Sequence, residues 1–223
     1  MRASPGRIRR VAFPRSAGSG IGICVAAALI LSACGSGDYT YAGSSRMRTA
    51  FRVPAGWTAI SGRQLGQALQ FDKDPTFATD YPFMEGFDAA PNPSLLDLVA
   101  SQSAAYPVVL AWVRKMNFGE HDQTSLRSLR NAYYEVDRAE DAGQGHTLSY
   151  SSFTLPGGYW GNRLTFLVRG TTPTSPQLQF SQIAATDAHL QYQYVLIVQC
   201  SPDCFQRDKG AIEDILHSWR LKG

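Results

Sequence analysis

The sequence is poor in charge, and its start lacks acid altogether. Only 17% of its 223 residues are charged, and the first 33 contain no Asp or Glu. No uncharged apolar run reaches the ~18 residues that a spanning helix needs, which argues against a multi-span membrane protein. Cysteine is limited to Cys24, Cys34, Cys200 and Cys204. There is no His-Glu-x-x-His spacing, no Gly-x-Ser-x-Gly elbow and no phosphate loop, since Gly143-x-Gly145 lacks a third glycine and sits between strand-like segments. Those gaps remove the familiar metalloprotease, esterase and nucleotide-binding motifs. Disorder is excluded from the other side: 44% of residues are hydrophobic and 11% aromatic, enough to build a core.

What charge there is divides unevenly. The chain carries 21 Lys+Arg against 18 Asp+Glu, a formal +3. Five of the arginines (Arg2, Arg7, Arg9, Arg10, Arg15) lie in residues 1–33, so the remainder holds 16 basic and 18 acidic residues, a net of −2. Basicity belongs to the leader. A nucleic-acid partner is therefore not expected, because that footprint needs a basic patch on the domain itself.

The first 33 residues have the three parts of a secretory signal: a basic start, an apolar stretch over residues 20–31, and small residues at its end. The junction Leu31-Ser32-Ala33-Cys34-Gly35 resembles the lipobox of bacterial lipoproteins. That resemblance implies diacylglyceryl transfer to the Cys34 thiol and cleavage after Ala33, with Cys24 discarded in the leader. Two or three acyl chains at about 0.8 kcal/mol per buried CH₂ suffice for stable anchoring. The expected location is the extracytoplasmic face of a cell membrane. Arg9-Arg10-Val11-Ala12-Phe13 invites a twin-arginine reading, but the apolar residue stands one place too far from the arginine pair; the general and twin-arginine export routes both stay open.

Cleavage would leave 190 residues, enough for one domain with a real core. The expected organisation is a signal peptide over 1–33, a lipidated flexible tether over 34–45, and a single α+β domain over 46–223. The glycine- and serine-rich stretch at 35–45 reads as a coil with an end-to-end distance of roughly 18 Å. It would hold the domain near the bilayer by acylation of Cys34 rather than by attraction to anionic surfaces.

Within the domain, Met47, Thr49, Phe51 and Val53 alternate with Arg48, Ala50 and Arg52, the period of a half-buried strand. Residues 64–69 suggest one helical turn, and Phe83, Glu85, Phe87 and Ala89 a further strand. Asn92-Pro93 offers an N-cap and a first helical residue, followed by Leu95, Leu96, Val99 and Ser103 at helical spacing. Residues 108–118 fit either a helix face or a β-branched strand, and helix is the expectation. From Asn131 the pattern reads as β: Ala132, Tyr134 and Val136 alternate, then 148–153, 163–169, 178–184 and 190–198 follow, with turns at Gly143, Pro156-Gly157-Gly158 and Asp187. Ile212, Ile215, Leu216 and Trp219 make one stripe of a C-terminal amphipathic helix, expected to dock on the sheet.

Phe51-Arg52-Val53-Pro54-Ala55-Gly56-Trp57, the strand 194–200 (YVLIVQC) and the last helix with Ile212, Ile215, Ser218 and Trp219 resemble the PsbP-like superfamily. Among its bacterial members the chain looks most like the LpqN-type lipoproteins of actinomycetes. The resemblance implies a central antiparallel β-sheet flanked by helices on both faces. It also implies binding or assembly at a membrane surface, with no shared catalytic residues.

Cys200 and Cys204, as the remaining thiols of an exported chain, are expected to form a disulfide if Pro202 turns the backbone between them. A zinc site with His217 would lack a fourth ligand at any familiar spacing. His121, His146, His189 and His217 read as surface residues. Tyr159 and Trp160 on the glycine-rich tip read either as rings folded back on the sheet or as a candidate partner surface. No cofactor and no metal is expected. The leading functional expectation is a membrane-anchored, non-catalytic binding or scaffold module with a protein partner. A carrier of a lipid or other apolar ligand is the alternative, and an envelope hydrolase the third; these call respectively for an apolar cavity between sheet and helix, and for a histidine within reach of a serine and an acid.

Overall fold

A computed structural model describes residues 37–68, 77–99, 104–170 and 176–222. In chain order the elements are β1 (Tyr39–Ser44), β2 (Thr49–Pro54), β3 (Thr58–Ser61), α1 (Gly62–Ala68), α2 (Phe77–Asp80), β4 (Phe83–Asp88), α3 (Leu95–Val99), β5 (Val108–Lys115), α4 (Phe118–His121), α5 (Leu126–Arg130), α6 (Val136–Asp141), β6 (Gly145–Thr154), β7 (Trp160–Val168), β8 (Leu178–Thr186), β9 (Tyr192–Cys200), α7 (Pro202–Arg207), α8 (Lys209–Ser218) and β10 (Arg220–Leu221).

The centre is an antiparallel sheet of seven strands in the order β3-β4-β5-β9-β8-β7-β6. Strand β9 lies between β5 and β8 and is covered on both faces, so it is apolar almost throughout, without the alternation of a half-exposed strand. Leu196, Val198 and Cys200 point to one side, where Phe51, Val53, Ile212, Ile215 and Leu216 of β2 and α8 fill the space. Val195 and Ile197 point to the other, against Leu129, Val136 and Ala139 of α5 and α6. A second sheet, β1-β2-β10, forms part of the first cover. The α+β class with helices on both faces of an antiparallel sheet is as expected. All the buried hydrophobic side chains among the described residues lie from Ala42 to Leu216.

Four local expectations are corrected. Residues 108–115 form a central strand, not a helix: Val109, Ala111 and Val113 are buried on one side and Val108 on the other, and two-sided burial erases the period that would have marked a strand. The alternation at Ala132, Tyr134 and Val136 is not β; it leads into helix α6, whose Asp137 N–H donates to the Asn131 side chain at 3.1 Å. Tyr133 and Tyr134 meet Phe180 edge-on, so their hydrophobicity serves packing under the sheet. Asn92 does not cap α3: the Leu96 N–H donates to Ser94 Oγ, and buried Asp88 accepts from the N–H groups of Ala90 and Ser94. Finally, residues 39–44 of the expected tether are strand β1, paired residue for residue with β2 from Tyr39↔Pro54 to Ser44↔Thr49. Backbone pairing, with Ala42 buried against the core, outweighs a composition that reads as coil.

The last helix ends by becoming a strand. After Ser218 the backbone of Trp219 turns extended, and Arg220 and Leu221 pair with Ala50 and Thr49 of β2. The Trp219 indole N–H donates to Thr49 Oγ1 at 3.1 Å. Asp187 organises the β8–β9 turn, its carboxylate accepting from the N–H groups of His189, Gln191 and Tyr192.

Candidate functional site

The outer face of the small sheet and the end of α8 enclose an open cleft of about 440 Å³, lined by Tyr41, Arg52, Asp214, His217, Ser218, Arg220 and Lys222 among others. Strand alternation builds it. Thr49, Phe51 and Val53 of β2 are buried inward, which leaves Ala50 and Arg52 outward, and Tyr41 stands opposite Arg52 in the register. Strand β10 is two residues long, so beyond it β2 has no strand neighbour on that edge. Ser218 takes that place: its hydroxyl accepts the Arg52 N–H at 2.9 Å and donates to the Ile215 carbonyl at 2.7 Å.

The cleft is cationic. The Arg52 guanidinium stacks 4.0 Å over the Tyr39 ring, and its Nε is shielded from water without a hydrogen-bond partner. Arg220 donates to the carbonyls of His217 and Trp219, which places its charge at the negative end of α8. Asp214 is the acid in the lining, and it is engaged: the Tyr39 hydroxyl donates to it at 3.1 Å, a bond that raises the Tyr39 pKa above its ordinary value. Such an arrangement can hold an anion. It has no arrangement for attack by Ser218, whose hydroxyl is committed to backbone, while the His217 ring faces Glu213 at 3.6 Å and Arg163 at 3.3 Å.

The other histidines are separate from it: His121 on α4, His146 on β6 and His189 in the β8–β9 turn. No cluster of three metal-ligating side chains occurs among the described residues. Cys200 and Cys204 are bonded to each other, with Cα atoms 5.9 Å apart, and cap the passage from β9 to α7, so neither thiolate can serve a metal beside His217. Ser201 caps α7 by accepting the Cys204 N–H, and Pro202 begins it.

Tyr159 and Trp160 are not an exposed partner surface. Neighbouring residues at a strand start point to opposite faces, and here both faces are covered. Tyr159 is buried beside Met47, Val113 and Tyr194, its hydroxyl donating to the Lys222 carbonyl at 3.2 Å. Trp160 packs against the cluster under α5 and α6. The positive φ of Gly157 and Gly158 makes the tight turn that folds both rings back. The space that an apolar carrier would use between sheet and α8 is filled by side chains. Leu31, Ser32, Ala33 and Cys34 lie outside the described residues.

Sequence reasoning missed the cleft. Its signal was the outward position of Arg52 on a strand and the i, i+2 spacing of Arg220 and Lys222, which is strand period immediately after a helix.

No family model matches the chain, and no curated protein does. Solved structures to which the chain is similar include cyanobacterial PsbP from Synechocystis, at 11% identity and a TM-score of 0.44, over 86% of this chain and 99% of that one. The Saccharomyces cerevisiae Ran-binding protein Mog1p is similar at 6% and 0.43, over 82% and 95%. LpqN of Mycobacterium tuberculosis, involved in cell envelope biogenesis, is similar at 14% and 0.41, over 78% and 83%. These likenesses are of general arrangement and assign neither chemistry nor partner.

Proposed function

We propose that the chain is a lipid-anchored extracytoplasmic lipoprotein whose domain acts as a non-catalytic binding or scaffold module at the cell membrane. The anchor part rests on the lipobox-like Leu31-Ser32-Ala33-Cys34 after a basic and apolar leader. The binding part rests on one observation: the cationic cleft of β2, α8 and β10, whose serine and histidine are held by neighbours rather than aimed at a substrate.

Expression of the wild-type gene in a bacterium that processes lipoproteins tests the anchor. The mature protein is expected in the membrane fraction with a diacylglyceryl mass on its Cys34 peptide, and Cys34→Ala is expected to lose both. A photoreactive residue at exposed Tyr41, beside the cleft, tests the binding role by capturing a defined adduct in intact cells. Unmodified Cys34 would remove the anchor; turnover of an envelope ester or glycoside, abolished by Ser218→Ala, would replace binding with catalysis.

A further inference from the structure

The small sheet has a charge distribution that the domain's net charge conceals. Residues 39–54 and 219–222 contain five cations, Arg46, Arg48, Arg52, Arg220 and Lys222, and no acid. Four of the five are exposed, Arg52 being half-buried on Tyr39. The ion pairs among the described residues lie elsewhere: Arg114 with Glu120, Arg127 and Arg130 with Asp137 and Glu140, Arg207 with Asp208, and His217 with Glu213. Four arginines elsewhere are thus neutralised, whereas the five cations of this sheet are in none of these ion pairs. On the same outward face, on the edge strand β1, stands Tyr41, 74% exposed, a side chain suited to headgroup depth.

The covalent geometry points the same way. Cys34 precedes Tyr39 by five residues, a reach of at most about 18 Å. An acylated Cys34 would therefore keep the start of β1 close to the bilayer. The Arg46–Arg48 turn and β10 sit at the other end of β1, about 20 Å further along the strand. We propose that the β1-β2-β10 sheet lies against a bilayer containing anionic phospholipid, its cations on the headgroup phosphates, so that the domain is held at two ends of one strand. The orientation rests on the lipid-anchor reading; the affinity of the face does not.

The test uses residues 34–223 with Cys34→Ser, which retains every buried hydrophobic side chain among the described residues and carries no acyl chain. Co-sedimentation is measured with vesicles of phosphatidylcholine alone and with added phosphatidylglycerol. The protein is expected to bind the second and not the first, and to be released by salt. Each surface cation contributes about five-fold to such partitioning, so Arg46→Gln/Arg48→Gln/Lys222→Gln is expected to lose about 100-fold. A control with three exposed cations elsewhere, Arg138→Gln/Arg169→Gln/Lys209→Gln, is expected to lose less than about five-fold. Equal binding to both vesicles, no binding to either, or equal losses in the two triple variants would overturn the proposal. Unchanged thermal unfolding of each variant separates loss of binding from loss of fold. These outcomes are independent of the Cys34 mass, so vesicle binding without acylation in cells refutes only the anchor.

Discussion

Ser218→Ala is the substitution that most directly probes how the cleft is built. The Ser218 hydroxyl accepts from the Arg52 N–H at 2.9 Å and donates to the Ile215 carbonyl at 2.7 Å. Both bonds are partly buried, and Arg52 N–H faces an edge of β2 that β10 is too short to cover. Alanine would leave that N–H without an acceptor in a place water reaches poorly. A buried polar group left unpaired costs about 1–3 kcal/mol, and partial exposure puts this one at about 1–2 kcal/mol. For a domain of this size the unfolding entropy is roughly 0.4 kcal/mol/K, so Tm should fall by about 3–5 °C. Circular dichroism at the β-sheet minimum reads it, with urea unfolding as a check that the slope is unchanged and only the midpoint moves. Ser218→Thr keeps the hydroxyl and should recover most of the loss. A Tm within one degree of wild type for Ser218→Ala would mean that β2 is held by packing alone.

Gly161→Ala should be far more severe. Gly161 pairs with Ala185, and a β-carbon there would stand 2.0 Å from the Ala184 carbonyl oxygen and 2.7 Å from the Ala185 Cα. Backbone cannot give way cheaply, so a loss above about 3 kcal/mol is expected. Gly210→Ala, which meets nothing within 4 Å in α8, should gain about 0.5–1 kcal/mol; equal effects of the two would refute the close approach. Reducing Cys200–Cys204, or replacing both by Ala, should lower stability by about 2 kcal/mol through the entropy of the small loop it closes, seen as a lower urea midpoint in reductant. Acid should weaken the α5–α6 network. The Arg127 hydrogen bond to Asp137 and, for Glu140, bonds from Thr147 and Arg130 that outweigh its partial burial hold both carboxyls below their ordinary values. Their contribution is therefore complete above about pH 4–4.5 and vanishes as pH falls through the lowered folded values. Urea midpoints from neutral to acid pH should fall less steeply in Arg130→Gln than in wild type, and parallel curves would count against the network.

The strands that face one covered side and one open side were readable from alternation, as in Met47 to Val53. Those covered on both sides were not, unless flanking turns marked them: β9 has turn residues on either side, whereas β5 has Trp112 and Met116 at spacings a helix also offers. The tyrosines at 133 and 134 were read as strand because Ala132, Tyr134 and Val136 alternate with Tyr133, Glu135 and Asp137, yet their rings pack under the sheet. Local composition also misled at β1, where Gly43 and the serines suggest a coil and the partner that orders it, β2, is supplied from across a turn. The Cys200–Cys204 bond was legible because two thiols and a proline leave few alternatives. The cleft was not, because it joins residues 41–52 to residues 214–222, and no local window holds both halves.

The net charge of −2 is a poor guide to what an anionic surface would feel. A compact unit the size of Ser36–Gly223 has a radius of gyration of about 16 Å, so its far side lies roughly 30 Å from whatever its near side touches. Screening at physiological ionic strength acts over about 8 Å. Acids on α5 and α6, which cover the opposite face of the large sheet, are therefore screened from a surface that meets the small sheet, and Asp137 and Glu140 are already neutralised by Arg127 and Arg130. Residues 39–54 and 219–222 carry five cations and no acid, and of the acids beside them Asp214 is bonded to Tyr39 and Glu213 faces His217. An acyl anchor alone would let the domain turn freely about its short lead. Adding even weak attraction at the far end of β1 changes that, since a tethered face meets the surface at high effective concentration. In the proposed arrangement the two contributions would act in sequence: the lipid would deliver the domain to the membrane, and the sheet's charge would decide which side of it faces outward.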